Sequence, residues 1–187
     1  MPPLPKVKLG VLADLERQLR FAPREALLRD AARAEQLARE IDPIARYPAE
    51  WLIFRITGYR AELPRSATAG PTAISPRDPD SDVHLVEGRG VLADLSAFVE
   101  RLTDSARLLR HEADAIDPLG PALTHAQLAE HWRVSLKSLD RYRRQGLVAR
   151  RVSSERPAAD AASPSRSGRT YLVYLPSSIH HFENLNT

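Results

Sequence analysis

Two helix-start signals stand close together in residues 123–147, and they constrain the fold of this chain more than any other feature. Thr124 and Gln127 have the spacing of a capping box, in which each side chain binds a free backbone amide at the start of a helix. Ser135 is a second N-cap residue, and Gly146 is suited to end the helix that follows it. Because only two residues separate the end of the first helix from Ser135, the sequence predicts a helix-turn-helix.

The apolar residues of this segment fall on the inner sides of both predicted helices. Those that can form one small core are Leu128, Trp132, Val134, Leu139, Tyr142 and Leu147. The residues left outward on the second helix are Leu136, Lys137, Ser138, Asp140, Arg141, Arg143 and Arg144. Such a helix suits the major groove of DNA, where its first turn reads base edges and its arginines bind phosphates. An ordinary helical hairpin with a solvated basic face is the alternative.

Two β-prone segments follow the second helix. Residues 147–152 and 169–175 are predicted strands, and residues 153–168 between them form a Pro, Ala, Ser and Arg stretch without periodicity. Two strands after a helix-turn-helix make a β wing, with arginines along the flanking DNA backbone or minor groove. The wing arginines are Arg150, Arg151, Arg156, Arg166 and Arg169. A last helix is predicted from Ser177 to about Asn184, directly after Pro176.

The candidate binding site combines the cap, the second helix and the wing. The residues predicted to contact DNA are Ser135, Lys137, Ser138, Arg141, Arg143, Arg144, Arg150, Arg151 and Arg169. With five to seven phosphate contacts, we expect log affinity to fall against log salt with a slope of about −5 to −6.

Charge is distributed unevenly along the chain. Residues 1–118 carry 17 Lys and Arg against 19 Asp and Glu, whereas residues 119–187 carry 10 against 5. The total of +3 therefore conceals a C-terminal third with a net charge of +5. A concentration of positive charge on one region is typical of a protein that binds a polyanion.

The first 118 residues have the composition of a helical region. Ala, Leu, Arg and Glu dominate residues 11–41, where apolar residues at helical spacing predict two amphipathic helices joined near residues 21–23. The other predicted elements are a helix at 47–60 that Gly58 ends, a Pro/Ser-rich linker at 62–82, and one or two helices within 85–116. A strand remains the alternative for residues 51–56, which are rich in β-prone residues.

These elements predict a mainly α chain with two parts. Residues 1–118 form a helical region that contains the linker, and residues 119–187 form a small winged helix-turn-helix domain with a two-stranded wing. The sequence GVLADL occurs at 10–15 and again at 90–95. Duplication of a helical pair and convergent use of good helix formers explain this repeat equally well.

Composition and motifs argue against catalysis. The chain has no Cys, and it contains no Gly-rich phosphate loop, no H-E-x-x-H and no nucleophile elbow. We therefore expect no enzymatic activity, no metal site and no cofactor. No stretch of about 18 apolar residues occurs, so we expect a soluble, cytoplasmic protein without a membrane partner.

Residues 123–182 resemble the winged helix-turn-helix of the MerR and excisionase superfamily. The matching segments are Leu123-Thr124, Leu128-Ala129, Val134-Ser135, Gly146-Leu147 and Gly168-Arg169-Thr170-Tyr171. The resemblance covers about a third of the chain and implies a DNA-binding fold. Arg133 takes a turn position where that family commonly has Gly, which costs on the order of 1 kcal/mol if the residue is left-handed. The wing loop is also longer than usual in the family.

The whole chain also resembles the N-terminal region of long sigma-70-type RNA polymerase sigma factors from planctomycete bacteria. The segments that carry this resemblance are KVKLGVLADLERQL, YPAEWLIFRITGYR and GVLADLSAFVERL, followed by the winged module. The promoter-reading and polymerase-binding regions that follow in that family are absent from these 187 residues. A truncated family member and a stand-alone regulator are both compatible with this, and either implies an accessory DNA-binding role.

Two functions follow as hypotheses. In the first, the chain is a transcription-associated protein that docks its basic helix in the major groove of double-stranded DNA. In the second, it is a protein-interaction module whose helical N-terminal half binds RNA polymerase or a sigma factor. The oligomeric state does not follow from the sequence.

Overall fold

The computed structural model describes residues 3–58, 84–154 and 169–186. The helices of this described part are α1 (Gly10–Leu19), α2 (Arg24–Glu40), α3 (Ala49–Thr57), α4 (Gly88–Ser105), α5 (Arg110–Asp114), α6 (His125–Trp132), α7 (Leu136–Arg143) and α8 (Pro176–Leu185). The strands are β1 (Arg46–Pro48), β2 (Leu85–Glu87), β3 (Leu123–Thr124), β4 (Arg150–Ser153) and β5 (Thr170–Tyr174). The protein is thus mainly helical, with small antiparallel sheets. Among these residues no helix combines the length and the apolar character needed to cross a membrane.

Helix α4 occupies the centre of the fold. It packs against α1 and α2 on the side of the N-terminal helices and against β4 and α7 on the other. Its buried residues include Leu95, Phe98 and Leu102, which join Leu12 and Leu37 in the largest apolar cluster. The buried positions of α4 lie on several sides of the helix and include the polar residues Asp94, Ser96, Glu100 and Thr103.

The predicted helices of residues 11–41 and 47–60 are confirmed. The chain turns at residues 20–23 between α1 and α2, and α3 ends at Gly58 in the left-handed conformation, with φ of 76°. The Gly58 amide donates a hydrogen bond to the Phe54 carbonyl at 2.8 Å. Residues 51–56 are therefore helical, and the strand alternative for them is wrong.

Two short strands replace helix where the sequence predicted it. Residues 85–87 pair antiparallel with residues 46–48, so the predicted helices of 47–60 and 85–116 each begin later than expected. Gly88 follows β2, and a Cβ atom there would lie 2.0 Å from the Asp42 carbonyl oxygen. Only Gly permits this close approach, so the chain can pass from β2 into α4 directly against the Asp42 carbonyl.

The sequence left open whether 85–116 forms one helix or two, with Thr103 as a possible start of the second, and the structure places Thr103 inside α4, which continues to Ser105. The Thr103 hydroxyl donates to the Val99 carbonyl at 2.9 Å. The chain then reverses at Arg107, which has a positive φ of 50°, and α5 follows. The predicted linker at 62–82 lies outside the described residues, as do Arg156 and Arg166 of the wing.

The two copies of GVLADL are both helical, and their aspartates differ in environment. Asp14 is exposed and pairs with Arg17. Asp94 is buried and accepts a hydrogen bond from the Lys8 amide at 2.8 Å, so it holds the segment that leads into α1. The leucines of both copies lie in the same apolar cluster.

The predicted caps of α6 and α7 are confirmed. The Gln127 amide donates to Thr124 Oγ1 at 3.2 Å, and the Thr124 amide donates to Gln127 Oε1 at 2.9 Å. The Ser138 amide donates to Ser135 Oγ at 3.1 Å, which starts α7. Arg133 between the helices is left-handed, with φ of 53°. Helix α7 ends at Arg143, two residues before the predicted end.

Replacing Arg133 with Gly should stabilise the protein. A left-handed conformation costs a residue with a Cβ atom about 1 kcal/mol, whereas Gly adopts it freely. Gly also raises the backbone entropy of the unfolded chain, which offsets part of this gain. We therefore expect the free energy of unfolding to increase by about 0.5 kcal/mol, measured by urea denaturation. Glu130→Gly, within α6, is the control and should lose about 1 kcal/mol. A loss of stability in Arg133→Gly contradicts the argument.

The predicted strands and the last helix are present with shifted bounds: β4 covers 150–153 where the sequence predicted 147–152, and β3 adds a third strand that was not predicted. Strand β5 lies between β3 and β4, and Val152 pairs with Tyr171 in the β4–β5 register. Helix α8 begins at Pro176 and buries Ile179 and Phe182 in an apolar cluster with α6 and α7.

Residues on both sides of the predicted domain boundary at residue 118 share apolar clusters. Val148 packs in the cluster of the N-terminal helices. Leu108 and Ala113 pack with Val152 and Val173 of the second sheet. The two predicted parts therefore have a common interior.

Candidate nucleic-acid interface

Helix α7 and its C-cap residue Arg144 present four side chains to solvent. We call them the α7 outer face: Leu136, Lys137, Arg141 and Arg144. Leu136 is 52% exposed although it is apolar. The guanidinium of Arg141 lies over the ring of Tyr142, with its central carbon 5.6 Å from the ring centroid. Within the described part of the chain, Lys137 and Arg144 have no salt-bridge partner. This face therefore offers three cations that no neighbouring carboxylate neutralises.

Ser135 and Ser138, the two serines predicted to contact DNA, form hydrogen bonds with each other at the start of α7. The Ser135 hydroxyl oxygen accepts from the Ser138 amide, and the two hydroxyl oxygens are 3.0 Å apart. Ser135 is exposed and Ser138 is half-buried. Both therefore lie at the first turn of α7, where their primary role is to cap the helix.

Arg143 points into the protein, which corrects the prediction that it contacts DNA. Its side chain is only 9% exposed, and its Nη2 atom pairs with the buried carboxylate of Glu100 in α4. Its Nη1 atom pairs with Asp140 at 2.8 Å. Burial opposes the charged form, but the Glu100 carboxylate outweighs this and raises the pKa of Arg143.

Arg150 and Arg151 are also buried, so their predicted contacts with the DNA backbone are wrong as well. Arg150 Nε donates to Glu35 Oε2 of α2 at 2.9 Å. Arg151 Nη2 donates to Glu100 Oε1 at 2.5 Å, and its backbone amide donates to Thr103 Oγ1 at 3.0 Å. Each arginine is 3% exposed. Both guanidinium groups are held by carboxylates from the N-terminal helices and cannot reach a phosphate without leaving the core.

Glu35 and Glu100 thus connect the helical region to residues 119–187. Glu100 pairs with two arginines, and Glu35 pairs with Arg150 while its other oxygen accepts from Ser178 Oγ of α8. We call this set the buried charge seam: Glu35, Glu100, Arg143, Arg150, Arg151 and Ser178. Three of the basic residues that give the C-terminal third its charge are therefore neutralised internally.

The sequence carried a signal for the seam that the interpretation missed. Arg143 is four residues after the core residue Leu139, which places it on the inner side of α7. Glu100 lies one turn after Ser96 and next to Val99, within the buried stripe of α4. A carboxylate in an apolar stripe requires a cation, because an unpaired buried charge is very costly.

Three polar side chains, those of His125, Asp140 and Tyr174, connect α6, α7 and β5 beneath the α7 outer face. His125 Nδ1 lies 2.7 Å from the Tyr174 hydroxyl, and His125 Nε2 lies 3.9 Å from Asp140. Burial lowers the pKa of His125, and it raises the pKa of Tyr174. Both groups are therefore neutral at neutral pH and stabilise the packing of α6 on β5.

The wing contributes one solvent-facing cation to the described residues. Arg169 is exposed where β5 begins, and its carbonyl accepts from the Ser154 amide at 2.9 Å. Of the nine predicted contacts, Lys137, Arg141, Arg144 and Arg169 are thus exposed cations, and three other arginines are buried.

Comparisons of the chain with protein-family models, with curated proteins and with solved structures each gave no match.

Proposed function

We propose that this chain is a DNA-binding, transcription-associated protein that docks α7 in the major groove. In this proposal α6 and α7 are a helix-turn-helix, and β4 and β5 are its wing. The resemblance of residues 123–182 to MerR and excisionase proteins supports this assignment. The sigma-factor resemblance of the whole chain supports an accessory role in transcription.

The observation that carries the proposal is the α7 outer face. Its three cations remain exposed while the three neighbouring arginines are buried and neutralised. Lys137 stands at the first turn, where recognition helices meet base edges, and Arg141 and Arg144 follow along the helix, where phosphates flank the groove. Arg169 at the wing is placed to add a backbone contact.

The salt dependence of DNA affinity tests this proposal. Three phosphate contacts, from Arg141, Arg144 and Arg169, predict a slope of log affinity against log salt of about −2.7. This replaces the slope of about −5 to −6 expected from the sequence, because Arg143, Arg150 and Arg151 are buried. Contacts from the wing loop would make the slope steeper. The measurement is fluorescence anisotropy of a labelled mixed-sequence duplex with the full chain, between about 50 and 200 mM salt. Absence of binding at low salt, or a slope shallower than about −2, contradicts the proposal.

A specific observation also favours a second function, binding to RNA polymerase or a sigma factor. Phe21 and Ile44 are each 89% exposed, and they flank the two ends of α2. Because α2 has 17 residues and is therefore about 25 Å long, the two side chains form no continuous patch and would be two separate contact points for a large partner. Purified RNA polymerase should then retain the chain, and Phe21→Ser with Ile44→Ser should abolish retention while DNA affinity stays unchanged. Equal retention of the variant excludes this surface.

A further inference from the structure

A cleft of about 380 Å³ lies beside α7, between α4 and the N-terminal segment of residues 3–8. Its volume is within the range of small-molecule sites. Arg144 belongs both to this cleft and to the α7 outer face. A ligand in the cleft would therefore touch the helix that we assign to DNA.

The N-terminal wall of the cleft is fixed to α4. Asp94 accepts hydrogen bonds from the Lys8 and Leu9 amides, and Arg101 Nη1 donates to the Pro5 carbonyl at 3.2 Å. Pro3 and Leu4 line the cleft on this side. The wall therefore does not depend on a ligand for its position.

The charged groups around the cleft favour an anion. Its three carboxylates already have partners, since Asp94 accepts from backbone amides, Glu100 pairs with two arginines and Asp140 pairs with Arg143. By contrast, the Lys6 and Lys8 ammonium groups and the Arg144 guanidinium have no ion-pair partner among residues 3–58, 84–154 and 169–186. The unsatisfied charge at the cleft is therefore positive.

Arg143 contributes to the wall of the cleft but offers no free donor to it. Arg143 lines the cleft and is more than nine-tenths buried. Its Nε atom is buried and donates to no atom of the described residues, although both Nη atoms have carboxylate partners. Because this atom has almost no accessible surface, a molecule in the cleft does not reach it, and the positive charge offered to a ligand is that of Lys6, Lys8 and Arg144.

We propose that this cleft binds a small organic anion, with its acidic group at Lys6, Lys8 and Arg144 and its apolar body against Leu4 and Ala93. Leu4, Ala93 and Ala97 line the cleft beside the cations, which favours an organic body over a bare inorganic ion. Charge-assisted hydrogen bonds from lysine and arginine would hold the acidic group.

Calorimetric titration of the full chain without DNA tests the site. The probes are phenyl phosphate, benzoate, inorganic phosphate and benzyl alcohol, so that the charge and the ring are varied separately. We expect one saturable site with a Kd of about 1 mM or tighter for phenyl phosphate and benzoate. Benzyl alcohol and inorganic phosphate should each bind about tenfold more weakly or worse. Non-saturable binding of both aromatic anions, or equal binding of benzyl alcohol, overturns the proposal.

Two variants locate the probe in the cleft. Lys6→Ala with Lys8→Ala removes two exposed cations, and Ala93→Phe fills the half-buried space on α4. Each should weaken binding of phenyl phosphate about tenfold or more. The control, Arg20→Ala with Arg46→Ala, removes two exposed arginines elsewhere and should bind like the unmodified chain. Unchanged binding by the lysine variant overturns the assignment, whether or not Ala93→Phe folds.

A regulatory consequence rests on the proposed function. Because Arg144 is shared, saturating phenyl phosphate should lower DNA affinity at constant ionic strength, and the Lys6→Ala and Lys8→Ala variant should lose this effect. Anion binding with unchanged DNA affinity overturns the regulatory link. If the unliganded chain fails to bind DNA, the proposed function is contradicted. The anion site is then still decided by the calorimetric titration, which contains no DNA.

Discussion

Replacing Glu100 with Ala should destabilise the protein by about 3–5 kcal/mol, the usual cost of removing one partner from a buried ion pair. Glu100 is 1% exposed and is the carboxylate that Arg143 and Arg151 share. Its removal takes away the one buried carboxylate that two buried guanidinium groups share, although Arg143 keeps Asp140 at 2.8 Å and Arg151 keeps Asp104 at 3.9 Å. Urea denaturation followed by circular dichroism measures the change, with the slope m as a check on two-state behaviour.

The matched control for Glu100→Ala is Glu87→Ala. Glu87 also pairs with an arginine, Arg46, but the atoms are 3.8 Å apart and both side chains are largely exposed. Solvent screens such a pair, so we expect a change below about 1 kcal/mol. If the two variants lose similar stability, the seam is not the main connection between the two parts of the chain.

Removing the cations of the α7 outer face should produce the largest loss of DNA affinity. We expect Lys137→Ala, Arg141→Ala and Arg144→Ala together to weaken binding roughly 100-fold, at about 1 kcal/mol for each contact. The slope of log affinity against log salt should become shallower by about 1.8, since Arg141 and Arg144 each contribute about 0.9 as phosphate contacts. Anisotropy titrations over the same salt range give both quantities. Because these side chains are exposed, folding should be unaffected.

A triple variant of equal charge controls for non-specific attraction. Arg20→Ala, Arg46→Ala and Arg89→Ala remove three exposed arginines of the helical region. If binding depended on net charge alone, this variant would lose as much affinity as the α7 variant. Our account predicts a loss of only a few-fold, because these residues lie outside the proposed interface.

Local signals predicted the elements of this fold well. The capping box of Thr124 and Gln127, the Ser135 cap and the left-handed Gly58 depend on residues a few positions apart, and the structure has all three. Strands β1 and β2 were missed because each has only three residues and its partner is about forty residues away. Such pairing depends on packing between distant segments, which periodicity within one segment does not report.

The candidate site was predicted only in part for the same reason. Lys137, Arg141 and Arg144 follow from the helical periodicity of α7. Arg143 and Arg150 are buried because they pair with Glu100 and Glu35, which lie 43 and 115 residues away in the sequence. A count of basic residues treats all of them as available, whereas the fold uses three to join its two parts. The net charge of a segment therefore overstates the charge that a partner can reach.

The central claim is that the cations are divided between an outward set and a buried set. The most direct test is the NMR spectrum of arginine Nε–H groups in the full chain, titrated with a mixed-sequence duplex. Our account predicts that the signals of Arg141 and Arg144 shift as DNA is added, while those of Arg143, Arg150 and Arg151 stay in place. Shifts at Arg150 or Arg151, or unchanged signals at Arg141 and Arg144, would contradict it.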